Sequence, residues 1–119
     1  MTRAVWVRQT ASDKMCMIVE GHAGYAAPGR DIVCAAVSTA MELLDNNLTA
    51  LGLRTGHKMQ AAYYRVDAQG YLAYKLMRET ARFLEGLASL YPQNLEFCEK
   101  SCENFAEWGE IPKNGDYNN

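Results

Sequence analysis

With 119 residues, 49% of them hydrophobic and 22% charged, the chain has the make-up of one folded domain and not of a disordered segment. A formal net charge of −2 gives no electrostatic ground for direct nucleic-acid binding, which needs clustered Lys and Arg. No apolar run approaches the ~20 residues that span a bilayer, and the N-terminus lacks a basic stretch followed by an apolar one; a cytoplasmic protein without a membrane partner is expected.

Residues 3–10, with Val5, Trp6 and Val7 in succession, and residues 14–20 read as an antiparallel hairpin around Ala11, Ser12 and Asp13. A glycine-containing loop follows, and Asp31 is placed to cap a helix. From Val33, the apolar residues Val37, Met41, Leu44, Leu48 and Leu51 recur every three or four positions, which marks one helix face. Gly52 and Gly56 supply its stop. Residues 58–67 and 71–77, separated by a segment ending in Gly70, read as a second hairpin. Residues 78–91 carry Phe83, Leu84, Leu87, Leu90 and Tyr91 at helical spacing and end at Pro92. Beyond it, Leu95 and Phe97 alternate as in a strand, while Leu95, Cys98, Cys102 and Phe105 also fit a helix; periodicity leaves both open. The fold class expected is α+β, one domain in ββαββα order, with two hairpins in an antiparallel or mixed sheet against two main helices and room for a C-terminal strand. The polar end, 114–119, is expected to fray.

The chemistry concentrates between the first hairpin and the first helix. His22 lies in a Gly-His-Ala-Gly run where the second strand ends, and Cys34 lies twelve positions later in the first turn of the helix. Unpaired amides and the positive end of the helix dipole favour negative charge there, which suits a thiolate nucleophile. An imidazole accepts and returns protons at cellular pH, so His22 is the candidate base. Read alone, each has a plainer explanation: a small buried thiol and a histidine that satisfies a turn. Asp31 has two roles open to it, helix cap or partner of the His22 ring. Ser38, one turn beyond Cys34, either donates into the site or bonds its own helix backbone. His57, in a Gly-His-Lys turn, reads as an exposed residue.

The segment from Gly21 to Ser38, with its Gly-His-Ala-Gly run and then Gly-Arg-Asp-Ile-Val-Cys-Ala-Ala-Val-Ser, resembles the signature of the Prp family, the ribosomal-processing cysteine proteases of bacteria. A looser likeness in length and order of elements covers residues 3–97. The resemblance implies catalytic Cys34 and His22, with Asp31 in support. It also implies a homodimer, no metal and no cofactor. The implied substrate is the precursor of the large-subunit ribosomal protein numbered twenty-seven, from which family members remove a short N-terminal extension. That extension is expected to be apolar and aromatic near the cut. The loop from Gly24 and Tyr25 to Pro28 and Gly29 would move over the bound peptide; Pro28 narrows its freedom where the glycines widen it. The comparison favours a strand over residues 95–98. It divides the chain into a Prp-like domain, 1–99, and an extension, 100–119, that exceeds the usual family length and is expected to be partly disordered.

Cys98 and Cys102 form one close pair where a structural zinc site usually offers two, so no metal site is assigned and the four cysteines, at 16, 34, 98 and 102, are expected as free thiols. A second function from another class also fits the sequence: a non-catalytic, ribosome-associated protein-binding module that uses the same surface and keeps Cys34 only for packing. The enzyme alone requires an accessible, reactive thiol beside His22.

Overall fold

The computed structural model describes residues 1–27 and 30–104. Strands β1 (Thr2–Gln9) and β2 (Lys14–Glu20) form the first hairpin, helix α1 spans Ile32–Ala50, strands β3 (Arg54–Gln60) and β4 (Tyr63–Gln69) form the second, and helix α2 (Tyr71–Leu90) leads to β5 (Leu95–Cys102). The sheet order is β3-β4-β2-β1-β5, antiparallel except for the β1–β5 pair. The tail segment is thus a strand, and it continues four residues past Cys98. Of the expected extension, residues 105–119 lie outside the described residues.

Both helices pack on one face of the sheet. Side chains alternate along a strand, and the register aligns Trp6 with Met17 and Met17 with Val66, so these share a face with Tyr64. Tyr74 of α2 meets the Trp6 ring at 5.5 Å, and Asp45 of α1 accepts a hydrogen bond from Tyr64. The core between the layers is Trp6, Met17 and Val66 with Val37, Met41 and Leu48 of α1 and Met77 and Leu84 of α2. The α1 stripe is as expected except at Leu51, which caps the helix and is exposed. Gly52 then takes a φ of +71°, and Leu53 N–H reaches back to Leu48 C=O at 2.8 Å. That 6→1 bond is the Schellman ending, which favours glycine at this position.

The second hairpin sits earlier than the sequence suggested. Its turn is Ala61-Ala62, with Ala62 at φ +58°, so 58–67 is not one strand. Residues 71–77 belong to α2: Gly70 ends the strand at φ +103°, and Ala73, Met77, Ala81 and Leu84 form the buried face. Phe83 and Leu90, expected on that face, are exposed. The strand-like alternation of Leu72, Tyr74 and Leu76 masked a helical stripe whose inner members are partly alanines. Opposite the helices, β4 buries the Arg65–Asp67 ion pair at 2.9 Å.

Candidate active site

The chain leaves β2 through a position that requires glycine. Gly21 has a φ of +90°, and a Cβ there would come within 2.5 Å of Met1 O; no side chain fits without displacing the start of β1. Gly21 N–H donates to Ala62 C=O at 2.8 Å, and the Thr2 hydroxyl donates to Gly21 C=O at 3.3 Å. His22 is therefore presented where the first strand and the β3–β4 turn converge, with its side chain exposed.

Ala23 is buried and held from both sides. Its N–H donates to Cys34 Sγ at 3.3 Å, and its C=O accepts from Asn94 Nδ2 at 3.0 Å. Among the described residues, the hydrogen bond made to the sulfur comes from this amide and not from the His22 ring. Gly24 follows at φ +66° with open space about it, and Tyr25 sets its ring edge-on to Tyr91, at the end of α2, at 5.3 Å.

Asp31 is a cap and a loop anchor. Oδ1 accepts from Cys34 N–H at 2.9 Å and Oδ2 from Tyr25 N–H at 3.0 Å. The Cys34 amide, and after it the Tyr25 amide, hold the Asp31 carboxyl below its usual range because amide donors favour the ionised form. Of the two roles the sequence left open, the carboxylate performs the cap: its oxygens accept from these backbone amides, and the Cys34 side chain beside it adds to the same downward push.

His22, Cys34 and Ser38 line one cavity of about 280 Å³. Its walls come from the end of β2 (Val19, Glu20), from α1 (Val37, Glu42) and from the second hairpin (Met59, Tyr63, Tyr64). Cys34, Ser38 and Glu42 succeed one another at four-residue intervals and so share a helix face. The structure thus gathers the candidate nucleophile, base and serine at one opening. Of the expected substrate loop, Gly24 and Tyr25 do not line the cavity, and Pro28 and Gly29 lie outside the described residues.

Two contributors were not foreseen. Asn94, 71 positions from Ala23, carries no local signal in the sequence. The other is a polar cluster behind the Tyr64 wall. Asp45, 4% exposed, accepts from Tyr64 OH at 2.6 Å, Arg54 Nη1 at 3.0 Å and Thr49 Oγ1 at 3.3 Å, and its Oδ2 lies 2.6 Å from His57 Nδ1. His57 is accordingly not a free turn residue but part of β3, held by Asp45. Burial pushes the Asp45 carboxyl up, yet the hydrogen bonds from Tyr64, Arg54 and His57 prevail and hold it low. Burial, and after it the same carboxylate, raises the Tyr64 phenol well above its usual range. Although His57 and Asp45 resemble an oriented catalytic pair, His22 and not His57 lines the cavity with Cys34. Among the described residues, no three His, Cys, Asp or Glu side chains are grouped as metal ligands, no cysteine is in a disulfide, and no helix is long and apolar enough to cross a membrane.

The fold is that of several solved structures. A ribosomal processing protease Prp from S. aureus, in complex with a covalently linked product peptide, is 20% identical and superposes with a TM-score of 0.76, over 84% of this chain and 100% of that one. The same enzyme with a substrate peptide gives 18% identity and 0.69 over the same shares. SMU.848 from Streptococcus mutans gives 24% and 0.66 over 86% and 96%. No curated protein sequence matches the chain. The model of the family described as cysteine protease Prp matches residues 1–96, most of the chain's length, and with the Gly-His-Ala-Gly run and the Asp31-capped cysteine helix in place the chain belongs to that family.

Proposed function

We propose that this protein is a cysteine endopeptidase that removes a short N-terminal extension from a large-subunit ribosomal protein precursor, with Cys34 as nucleophile and His22 as general base. The observation that carries the reading is the shared cavity: a half-buried thiol in the first turn of α1, beside an exposed imidazole, opening onto space bounded by a strand end and a hairpin. Its likeness to a protease whose structures hold a covalently linked product peptide and a substrate peptide supports a peptide as occupant.

In the reaction, His22 takes the proton from Cys34 Sγ and the sulfur attacks the scissile carbonyl carbon. Backbone N–H groups at the start of α1 are the natural donors to the developing oxyanion. Collapse of the tetrahedral adduct expels the amine, which His22 protonates; water, deprotonated by His22, then cleaves the thioester and releases the new carboxyl terminus. Asp31 fixes the Cys34 and Tyr25 amides, Ser38 contributes a hydroxyl to the cavity, and the Gly24–Tyr25 loop, continued by Pro28 and Gly29, covers the peptide. No cofactor is needed for this chemistry. The enzyme acts in the cytoplasm as a homodimer on a protein partner, without direct contact with nucleic acid.

Incubation of the purified protein with the precursor of the ribosomal protein numbered twenty-seven tests the reading, with mass spectrometry of the products. A single cut near the precursor's N-terminus, lost in Cys34→Ala and in His22→Ala, is expected. Binding without a cut would instead establish the non-catalytic module.

A further inference from the structure

Among the described residues, the cavity at Cys34 is lined by two carboxylates, Glu20 and Glu42, and by no lysine or arginine. Among the described residues neither has an ion-pair partner, although seven other pairs exist. Each belongs to an element that carries a reacting group: Glu20 ends β2 two positions before His22, and Glu42 lies two turns along α1 from Cys34. Their charges reach the cavity walls: Glu20 adds to the upward push on the Tyr63 phenol, behind burial and against the stronger downward pull of Arg65, and Glu42 adds to that on Tyr64, behind burial and Asp45. Two cations touch its wall from outside: Lys58 Nζ sits 5.9 Å over the Tyr63 ring, and Arg65, paired with Asp67, also acts on the Tyr63 hydroxyl; neither lines the cavity.

We infer that this cavity selects a peptide bearing a cationic side chain, whose aliphatic stem lies on Val37, Met59 and the two tyrosines and whose charged tip meets Glu20 and Glu42. The inference rests on the proposed function, and it names the substrate chemistry of that site. A long basic side chain fits both demands of the lining, because it buries its methylenes while its tip stays in polar surroundings. An acidic peptide side chain is repelled. Electrostatic complementarity of this kind serves selection more than raw affinity, and each exposed pair is worth up to about fivefold.

The test separates binding from cleavage. Full-length Cys34→Ala is titrated, by fluorescence anisotropy, into ten-residue peptides that share one apolar and aromatic sequence and carry Lys, norleucine or Glu at each position in turn. At one or two neighbouring positions Lys is expected to bind about five- to tenfold more tightly than norleucine and Glu more weakly, with the difference shrinking between 50 and 500 mM salt, as surface charge effects do. Adding Glu20→Gln and Glu42→Gln, both at exposed positions, should erase the difference between Lys and norleucine. Equal binding of the two peptides at every position, or a preference that survives both substitutions, overturns the inference. The wild-type protein is given the same peptides: peptides bound with the Lys preference but never cut would refute the protease and leave the charge selection standing. Absence of binding by any peptide refutes both.

Discussion

At Cys34 two separate groups fix one residue: the Asp31 carboxylate takes its amide, and the Ala23 amide takes its sulfur. This geometry sets Cys34 apart from Cys98, which is equally half-buried but lies within β5 and not at a helix start, and burial sets it apart from the other two. Cys16 is fully buried, with its thiol pushed up to about 12 by that burial, and Cys102 is also buried. Brief iodoacetamide treatment near neutral pH, mapped by mass spectrometry, should therefore label Cys34 first and leave Cys16 untouched; the opposite order would remove Cys34 as nucleophile. Asp31→Ala frees the Cys34 and Tyr25 amides together. It should lower kcat/KM on the order of tenfold or more, with Asp31→Asn recovering part of that loss because its amide oxygen still offers one acceptor. The glycines separate conformation from space. Gly21→Ala meets both a positive φ and the Met1 carbonyl and should cost about 2–3 kcal/mol in urea unfolding, whereas Gly24→Ala meets only the φ and should cost about 1 kcal/mol.

At the scale of elements, Asp45 pins α1 to the second hairpin. Its four partners come from α1 itself (Thr49), from β3 (Arg54, His57) and from β4 (Tyr64), and Tyr64 is also a wall of the cavity. Asp45→Asn weakens these bonds to a charged acceptor and should destabilise the protein by about 2–3 kcal/mol. KM for a peptide should rise more than kcat falls, since the wall and not the thiol is loosened. The carboxyl is held below its unfolded value of 3.8, so the stabilisation is complete above that pH and is lost as pH falls through the lower folded value. Urea midpoints of the wild type should therefore drop below about pH 4 more steeply than those of Asp45→Asn. Parallel curves would mean that Asp45 is not the acid-sensitive link.

Over the whole molecule, the site depends on the far end of the chain. Asn94 N–H and C=O belong to the turn that opens β5: its C=O accepts from Thr2 N–H at 2.9 Å and its N–H donates to Tyr91 C=O, while its side chain holds Ala23. One residue thus ties the last strand to the first and to the loop between His22 and Cys34. Asn94→Ala should change stability by only about 1 kcal/mol but reduce peptide cleavage severalfold, because the Ala23 amide on the sulfur loses its anchor. Equal activity would show that the loop holds its place without β5.

The first hairpin, the α1 stripe and the Asp31 cap were legible because they rest on local rules, namely alternation, helical spacing and a capping aspartate, whereas the pairing of His22 with Cys34 was legible mainly from the family resemblance. The second hairpin was misplaced where the local rule was silent, at an Ala61-Ala62 turn with none of the usual turn residues, and α2 began early because small alanines carry half of its buried face. What the tertiary structure alone decided is everything that joins distant residues. Strand order put β5 beside β1, Asn94 under Ala23, and Asp45 against His57 and Tyr64, and it closed a cavity between Cys34 and two carboxylates. Hydrogen bonds between side chains far apart in the chain leave no period in a sequence, since any polar residue at those positions reads as a solvated one until the backbone brings its partner within 3 Å.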